Sequence, residues 1–395
     1  MSQPNKKANY GDPISDLPGN VIDCILQHLF VKDLIRTSIL STKWRYMWTS
    51  VPRLKFNDEF YCMFDNLNDP ASEFSRIITE ILFLHNGPIL EFILQVPWAS
   101  DSKDKITYEY LNKWILFLSR KGLKHIKLTS DERDLVQVPS HLFSCRGLTY
   151  LQLDTCNLSI PSSFYGFKTL LHLCLEFMTF ELGALETLLS GCPLLEKLDI
   201  EYCSGCECID LSSSSALIDL TLSLPQKCAF GLNKIQRLTL VLLRKTLLCT
   251  DVFPLSQLIT SLKYLRLDEV NLDEREELLY IVSVLKNASN LVELHIVTYE
   301  ANDYKVQVPA PSEKLEFSGC CLSELQKVNI RVGTSTKHAM SLARFILATS
   351  LALKTLTFDF RFCMKPDASI LLSISQDLLW MERASQRAHV EFIHQ

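Results

Sequence analysis

The sequence of 395 residues has little glycine, no excess of basic charge and no long apolar run, and each shortage excludes a class of protein. With only 12 glycines, it contains neither G-x-x-x-x-G-K-[ST] nor G-x-G-x-x-G, the loops that cradle phosphates. Its formal net charge of -5 gives no broad positive field for nucleic acid or anionic membranes. The longest apolar stretches, such as 111–118 and 278–285, are much shorter than a membrane span. We therefore expect a soluble protein with no nucleic-acid or membrane partner.

The sequence also lacks the features of a secreted protein. Its first eleven residues, MSQPNKKANYG, have no apolar segment of a secretory signal and predict a flexible tail. The 14 cysteines are scattered, at spacings unlike a compact disulfide framework. We therefore expect reduced thiols and a location in the nucleus, the cytoplasm or both.

No catalytic centre can be assembled from the sequence. The nine histidines are scattered, and none pairs convincingly with a nucleophile and an orienting acid. Cys203, Cys206 and Cys208 are close enough to suggest zinc, but a second pair at zinc-finger spacing is missing. We favour packing and loop roles for these thiols, and we predict no catalytic residues, no metal, no cofactor and no enzymatic activity.

Residues 12–56 have the pattern of three short helices. Leu17-Pro18 favours a helix start, because proline suits the first turn. Ile22, Ile25, Leu26 and Leu29 then form one apolar stripe.

Two further helical runs follow. Leu34, Ile35, Ile39 and Leu40 mark the second, and Ser41 is the predicted N-cap of the third. The third run sets Trp44, Met47 and Trp48 on one face, with Lys43 and Arg45 opposite.

The order and spacing of these residues closely resemble a plant-type F-box. The resemblance implies docking onto the Skp-type adaptor of an SCF ubiquitin ligase, and through it onto a cullin. The residues it implies for adaptor binding are Leu17, Pro18, Ile22, Ile25, Leu26, Leu29, Leu34, Leu40, Ser41, Trp44 and Trp48. Phe30 stands where such F-boxes usually have proline, so we expect a less rigid start to the second helix and a lower affinity for the adaptor.

Downstream, a motif of the form apolar-x-x-apolar-x-apolar recurs eleven times, with first positions 18 to 34 residues apart. It begins at residues 89, 123, 148, 170, 195, 217, 235, 262, 291, 325 and 353. One such unit cannot bury its own apolar face, so stacked units are required. The fold class predicted is α/β: an N-terminal three-helix F-box, then a curved leucine-rich-repeat solenoid with a parallel strand ladder inside and helices and loops outside. Helices are expected after Glu181, Glu274 and Thr336.

These patterns predict five regions. They are a flexible tail at 1–11, the F-box at 12–56, a linker and helical N-terminal cap at 57–88, the solenoid at 89–335, and last repeats with a C-terminal cap at 336–395. Residues 299–314 are a predicted loop on the solenoid rim. The segment 381–385, followed by a terminal strand, resembles the FBD region of plant F-box proteins. It should cap the exposed end of the ladder.

The strand residues that alternate with the inward leucines should face the concave side. Arg237, Tyr264 and Arg266 could form an aromatic and guanidinium patch there, of the kind enriched at binding hot spots. Tyr150 and His295 are further candidates for substrate contact.

Three functions remain open on the sequence. The first is a substrate-recognition subunit of an SCF-type ligase, whose F-box docks to the adaptor and whose repeats bind the protein to be ubiquitinated. The second is an interaction or scaffold protein acting outside a ligase. The third is a sensor that holds a small molecule in a concave pocket.

Overall fold

The computed structural model describes residues 14, 17–96, 108–130, 136–206, 208–224, 227–230, 234–242, 261–272, 275–298, 322–331, 336–360, 372, 376–378 and 380–393. The predicted rim loop at 299–314 and the tail at 1–11 lie outside these residues. Among the described residues, no helix has the length and apolar character needed to cross a bilayer. The chain divides into two compact units, Met1–Leu170 with Phe177–Glu181, and Leu171–Glu176 with Leu182–Gln395.

The first unit begins with the predicted helices. Helix α1 spans Gly19–Gln27 and α2 spans Val31–Arg36. Pro18 is the N-cap of α1, as Leu17-Pro18 predicts, because a fixed φ suits this position. The third run, Trp44–Ser50, is a 3-10 helix, preceded by a 3-10 turn at Thr37–Ile39.

Two details of this region differ from the predictions. Lys43, not Ser41, is the N-cap of the third helix, and Ser41 instead offers its carbonyl oxygen to Trp44 N at 3.2 Å. The apolar stripe of α1 is also split. Ile22 and Leu26 are 1% exposed, whereas Ile25 is 43% exposed, because the core covers only the inner part of the stripe.

A parallel strand ladder follows the helices in the first unit. Its strands are β1 (Arg53–Phe56), β2 (Glu91–Val96), β3 (His125–Ser130) and β5 (Tyr150–Asp154), paired in that order. A smaller parallel sheet contains β4 (Val136–Gln137), β6 (Cys156–Leu158) and β8 (Thr179–Phe180). The helices are α3 (Asp58–Tyr61), α4 (Pro70–Leu84), α5 (Tyr108–Ser119) and a 3-10 helix at Ser140–Ser144.

Strand β1 belongs to the ladder although the sequence assigned its residues to the F-box. Val51, Leu54 and Phe56 repeat the apolar-x-x-apolar-x-apolar motif and are 4%, 0% and 0% exposed. Leu54 aligns with Phe92 of β2, so β1 covers the first repeat. The F-box and the ladder therefore share residues.

The same joint is held by polar contacts to the end of α4. The buried His85 ring has Nε2 at 2.9 Å from the Val51 carbonyl oxygen, and Asn86 N donates to Thr49 O at 2.9 Å. Lys121 Nζ donates to His85 O at 3.2 Å. Burial lowers the pKa of His85, which favours the neutral ring.

The second unit contains the longer ladder. Its parallel strands, in order, are β7 (His172–Glu176), β9 (Lys197–Glu201), β11 (Asp219–Leu224), β13 (Arg237–Leu242), β14 (Tyr264–Val270), β15 (Glu293–Thr298), β16 (Lys327–Arg331), β17 (Thr355–Asp359) and β18 (His389–Ile393). Strands β10 (Cys208–Asp210) and β12 (Lys227–Phe230) form a side pair. The helices are α6 (Ala184–Ser190), α7 (Arg275–Lys286) and α8 (Thr336–Thr349), each in a segment predicted to be helical.

All eleven predicted motifs coincide with ladder strands, and their apolar positions are buried. In β9, Lys197–Glu201, burial alternates so that Leu198 and Ile200 point into the core. The first apolar residue of each motif lies just before its strand and is at most 2% exposed. The α/β class with a leucine-rich-repeat ladder is confirmed.

The C-terminal segment closes the last repeat as predicted. Ser385 is buried and its hydroxyl donates to Leu353 O at 2.7 Å, while Ala384 N donates to Leu347 O at 2.8 Å. Strand β18 then pairs with β17, and the Phe392 ring stacks on Phe358 at 6.0 Å. Within the described residues no further repeat follows β17, so these contacts cover the apolar residues of the last repeat.

The joint predicts a strong effect of Gly87→Ala. A Cβ on Gly87 would lie 3.1 Å from Ser50 O and 3.3 Å from Ser50 Cα, both backbone atoms. We expect a loss of about 1–3 kcal/mol of unfolding free energy, as for other overpacked sites, measured by urea denaturation. Gly19→Ala is the matched control, since nothing lies within 4 Å of its Cβ. Equal stability of the two variants would contradict the joint described above.

Candidate functional site

The first candidate surface lies on the F-box helices. Of the eleven residues implied for adaptor binding, Pro18, Ile25 and Leu40 are exposed, and Leu17, Leu29 and Ser41 are half-buried. Ile22, Leu26, Leu34, Trp44 and Trp48 are buried within this chain. The buried five hold the helices together, so they support the surface from below.

Further apolar residues in this region are exposed, although the F-box resemblance does not include them among the adaptor-binding residues. Val21 lies one turn before Ile25 on α1, and Phe30, Ile39 and Tyr46 are 44%, 83% and 70% exposed. Helical spacing from Ile25 could have found Val21. With Pro18, Ile25 and Leu40, these four make up what we call the docking face. An apolar surface of this kind is typical of a protein contact.

The second candidate surface is the open face of the ladder in the second unit, the side opposite the buried leucines. The guanidinium carbon of Arg237 lies 4.0 Å from the centroid of the Tyr264 ring, and the His295 ring lies 5.1 Å from that ring on the other side. Register explains this stack, because Arg237 aligns with Tyr264 on the neighbouring strand. The structure thus brings together residues that are far apart in the sequence.

Arg237 and His295 of the stack, and the neighbouring Arg266, each have an acidic partner on the same face. Arg237 Nε is 3.4 Å from Asp219 Oδ2, and His295 Nε2 is 2.9 Å from Glu293 Oε1. Arg266 Nε contacts both oxygens of Asp268, at 2.9 and 2.7 Å. These carboxylates hold the side chains in place and offset their charge. The stack therefore combines an aromatic ring with paired charges and carries little net positive charge.

Tyr150, the remaining candidate, is on β5 in the first unit. Its hydroxyl donates to Gln152 Oε1 at 2.8 Å, and its ring lies 5.8 Å from the His125 ring. It therefore belongs to a separate aromatic pair on the open face of the first unit.

A bridge between Tyr202 and Glu269 closes part of the open face, and the sequence did not predict it. Both residues have left-handed backbone, with φ of 53° and 58°, and Tyr202 Oη donates to Glu269 Oε1 at 2.6 Å. Strands β11 and β13 lie between the two. Below the bridge, Ser223 and Val241 are 1% and 4% exposed although they occupy open-face positions. On β11 and β13 the ends of the strands are therefore not accessible on this face.

Carboxylates gather beside the bridge. Burial raises the pKa of Glu201 to about 7, helped by the nearby carboxylates of Glu176, Asp199 and Asp268 and opposed by Lys197. Burial, together with the Glu269 carboxylate, also raises the pKa of Tyr202, so its phenol stays protonated and donates.

Cys203 and Cys206 of the cysteine cluster lie in packing and loop positions. Cys203 Sγ lies 3.4 Å from Leu175 O and 3.2 Å from Glu201 O, and Cys206 is buried. Within the described part of the chain, no group of three or more His, Cys, Asp or Glu side chains is arranged to hold a metal ion.

Comparison with protein families matches three regions of the chain. The family model for the F-box domain matches residues 14–56, and that for the LRR repeats of the FBD-associated F-box protein At5g56370 matches 111–251. The FBD model matches 317–358. The F-box/FBD/LRR-repeat protein At1g13570 of Arabidopsis thaliana is 28% identical over 97% of this chain and 98% of its own length.

The chain contains F-box, LRR and FBD regions and is similar to the F-box/FBD/LRR-repeat proteins of Arabidopsis thaliana. A second relative, the F-box/FBD/LRR-repeat protein At2g04230 of Arabidopsis thaliana, is 32% identical over 56% of this chain and 49% of that protein. The FBD match spans β16, α8 and β17, so the segment 381–385 lies outside it. Proteins with F-box and leucine-rich-repeat domains are typically non-catalytic adaptors, and such domains indicate protein–protein interaction.

Among solved structures, an internalin (inlF) from Listeria monocytogenes is 16% identical, with a TM-score of 0.38, over 83% of this chain and 90% of that chain.

The position of Glu201 predicts a pH-dependent effect of Glu201→Gln. The pKa of Glu201 is raised in the folded state, so its ionisation lowers stability as pH rises from about 4.5 towards 7. At pH 8 we expect the free energy of unfolding of the variant to exceed that of the wild type by about 1 kcal/mol. The pKa shift by itself would give a larger difference, but solvent screens a group that is only half-buried. At pH 5 the gain should nearly vanish. Urea denaturation at pH 5 and pH 8 measures the difference in stability, with Glu324→Gln on the exposed surface as control. An equal gain in stability at the two pH values would contradict the prediction.

Proposed function

We propose that this chain is the substrate-recognition subunit of an SCF-type ubiquitin ligase. The F-box docks onto a Skp-type adaptor and through it onto a cullin, and the repeats bind the protein to be ubiquitinated. The single observation that carries the proposal is the F-box match at 14–56 on helices with an exposed apolar docking face. We further propose that the protein acts in the nucleus, the cytoplasm or both.

The subunit needs no chemistry of its own under this proposal. Holding a substrate beside the catalytic subunits raises its effective concentration there, which is enough to direct ubiquitin transfer. The division of buried and exposed residues suits this role. The inner residues of the F-box, among them Leu34 and Trp44, fix it on the ladder, while the outer ones remain available for the adaptor.

The rigid joint also supports the proposal. Because Thr49 and Val51 are bonded to Asn86 and His85, the F-box cannot swing freely against the first repeats. Tyr150, the candidate for substrate contact in the first unit, lies on the ladder that this joint holds against the F-box. Proximity is most effective when the geometry is constrained in this way.

The docking face predicts that Ile25→Asp with Leu40→Asp abolishes adaptor binding. Both side chains are exposed, at 43% and 52%, so the changes spare the core while placing charge in an apolar contact. We expect at least a hundredfold loss of affinity for a purified Skp-type adaptor, measured by calorimetry. Phe83→Asp is the matched control, since Phe83 is 84% exposed on α4, outside the F-box. Binding that survives the double change, in a folded chain, would sink the docking proposal.

The stack predicts a separate effect on substrate capture. Tyr264→Ala removes the ring between Arg237 and His295, so we expect captured proteins to fall at least tenfold while adaptor and cullin remain. Affinity capture with mass spectrometry, comparing this variant with the wild type, measures both. Arg344→Ala on the exposed surface of α8 is the control. Unchanged capture of every partner would show that the stack has no part in recognition; capture of partners without adaptor or cullin would favour a scaffold outside a ligase.

A further inference from the structure

Charge is unevenly distributed along the open face of the second unit. From β7 to β14, the open-face positions and the bridge hold six carboxylates, those of Glu176, Asp199, Glu201, Asp219, Asp268 and Glu269. The basic side chains on the same five strands are Lys197, Arg237 and Arg266. All nine side chains are at least partly exposed. With every carboxylate ionised and histidine neutral, this part of the face has three more negative than positive charges.

Other parts of the open faces have a different balance of charge. From β15 to β18, the acidic open-face residues are Glu293, Asp359 and Glu391, and the basic ones are Lys327 and Arg331. In the first unit the balance is reversed, with Arg53, Lys55 and Lys127 against Glu91 and Asp154. The large negative excess is therefore confined to the strands from β7 to β14.

The basic groups of this part are already occupied by carboxylates. Lys197 Nζ lies 3.2 Å from Asp199 Oδ2, and Arg237 and Arg266 have the acidic partners described above. Among the described residues, no lysine or arginine forms an ion pair with Glu201. Burial and the surrounding carboxylates raise the pKa of Glu201, as expected for an acid without a close cation. The face thus has carboxylate charge that its own bases do not neutralise.

The carboxylates lie on two sides of the same strip of the face. Strands β9 and β14 are separated by β11 and β13, a distance of roughly 14 Å at the usual strand spacing. The middle open-face positions of β11 and β13 are the short side chains of Thr221 and Thr239. Glu201 on β9 and Asp268 on β14 therefore stand on opposite sides of a strip of small residues.

We propose that this part of the open face, from β7 to β14, binds a basic segment of the substrate protein, a stretch rich in lysine or arginine. The inference rests on the substrate-recognition function proposed above and names the class of substrate. An extended chain repeats its side chains on one side about every 7 Å, so about three cations span the distance from β9 to β14. An acidic segment would instead be repelled by the excess carboxylates.

Charge selects the partner here more than it supplies affinity. A single exposed ion pair contributes little, because solvent and salt screen it. Several cations that meet partly buried carboxylates together discriminate strongly between basic and acidic partners.

Three short synthetic peptides test the inference on the full-length chain. In them serine alternates with lysine, glutamine or glutamate, and both termini are blocked so that only side chains carry charge. At pH 8, where Glu201 is ionised, we expect the lysine peptide to bind at least tenfold more tightly than the glutamine peptide, measured by calorimetry. Added salt should reduce this preference. Equal binding of these two peptides, or tighter binding of the glutamate peptide, would overturn the inference.

Glu176→Gln with Glu201→Gln shows whether the lysine peptide binds at this part of the face. The double change removes two negative charges from β7 and β9, so we expect roughly tenfold weaker binding of the lysine peptide. Urea denaturation checks the fold, and Glu201→Gln alone, expected to be more stable than the wild type at this pH, repeats the comparison. Glu324→Gln with Glu382→Gln is the matched control, because it removes the same charge from exposed positions outside the strands. Equal losses in the two double variants would assign the attraction to overall charge and overturn the inference.

Adaptor binding separates this inference from the proposed function. If the wild type does not bind a purified Skp-type adaptor, the ligase proposal fails, whatever the peptides show. If the adaptor binds and the lysine peptide is not preferred, only the basic class of substrate is wrong.

Discussion

Every other feature of this protein depends on one constraint: a repeat with three inward apolar side chains cannot bury them by itself. In each ladder, leucines at matched register cover one another, as Leu220 does between Leu198 and Leu238. Burial of such side chains contributes on the order of 2 kcal/mol each, but only when both neighbours are present. A repeat with a neighbouring repeat on one side only must therefore be covered by something else on the other.

The F-box region provides such a cover in the first unit, and the C-terminal segment provides one in the second. Strand β1 comes from the end of the F-box, and the buried His85 and the tightly packed Gly87 hold that end against the first repeats. Ser385 and β18 cover the last repeat. The segment that we propose to dock onto the adaptor is thus also a structural cap. This dual use explains why many of its apolar residues are buried and cannot contact a partner.

The same constraint shapes the open face. Because leucines occupy alternate strand positions, the positions between them are released from packing and can carry polar and aromatic groups. Arg237 and Tyr264 stack there with ion pairs around them, while the bridge from Tyr202 to Glu269 covers Ser223 and Val241. The open face is therefore closed at the ends of β11 and β13. Burial, together with the carboxylates clustered beside the bridge, raises the pKa of Glu201 above that of an ordinary glutamate.

Periodicity alone determined the repeat strands, the outer helices and the three-helix start, because burial of a regular apolar pattern leaves few alternatives. Strand β1 was not predicted, although Val51, Leu54 and Phe56 carry the same motif, because the F-box resemblance includes these residues. Only the tertiary structure decides which face of α1 is covered and which residues stack across strands. It also decides that Tyr202 bonds to Glu269. Those outcomes depend on register and on contacts between distant segments, which no local pattern contains. Likewise, the residue type at position 30 suggested a loose helix start, whereas the folded chain holds Phe30 at a proline-like φ with its ring exposed.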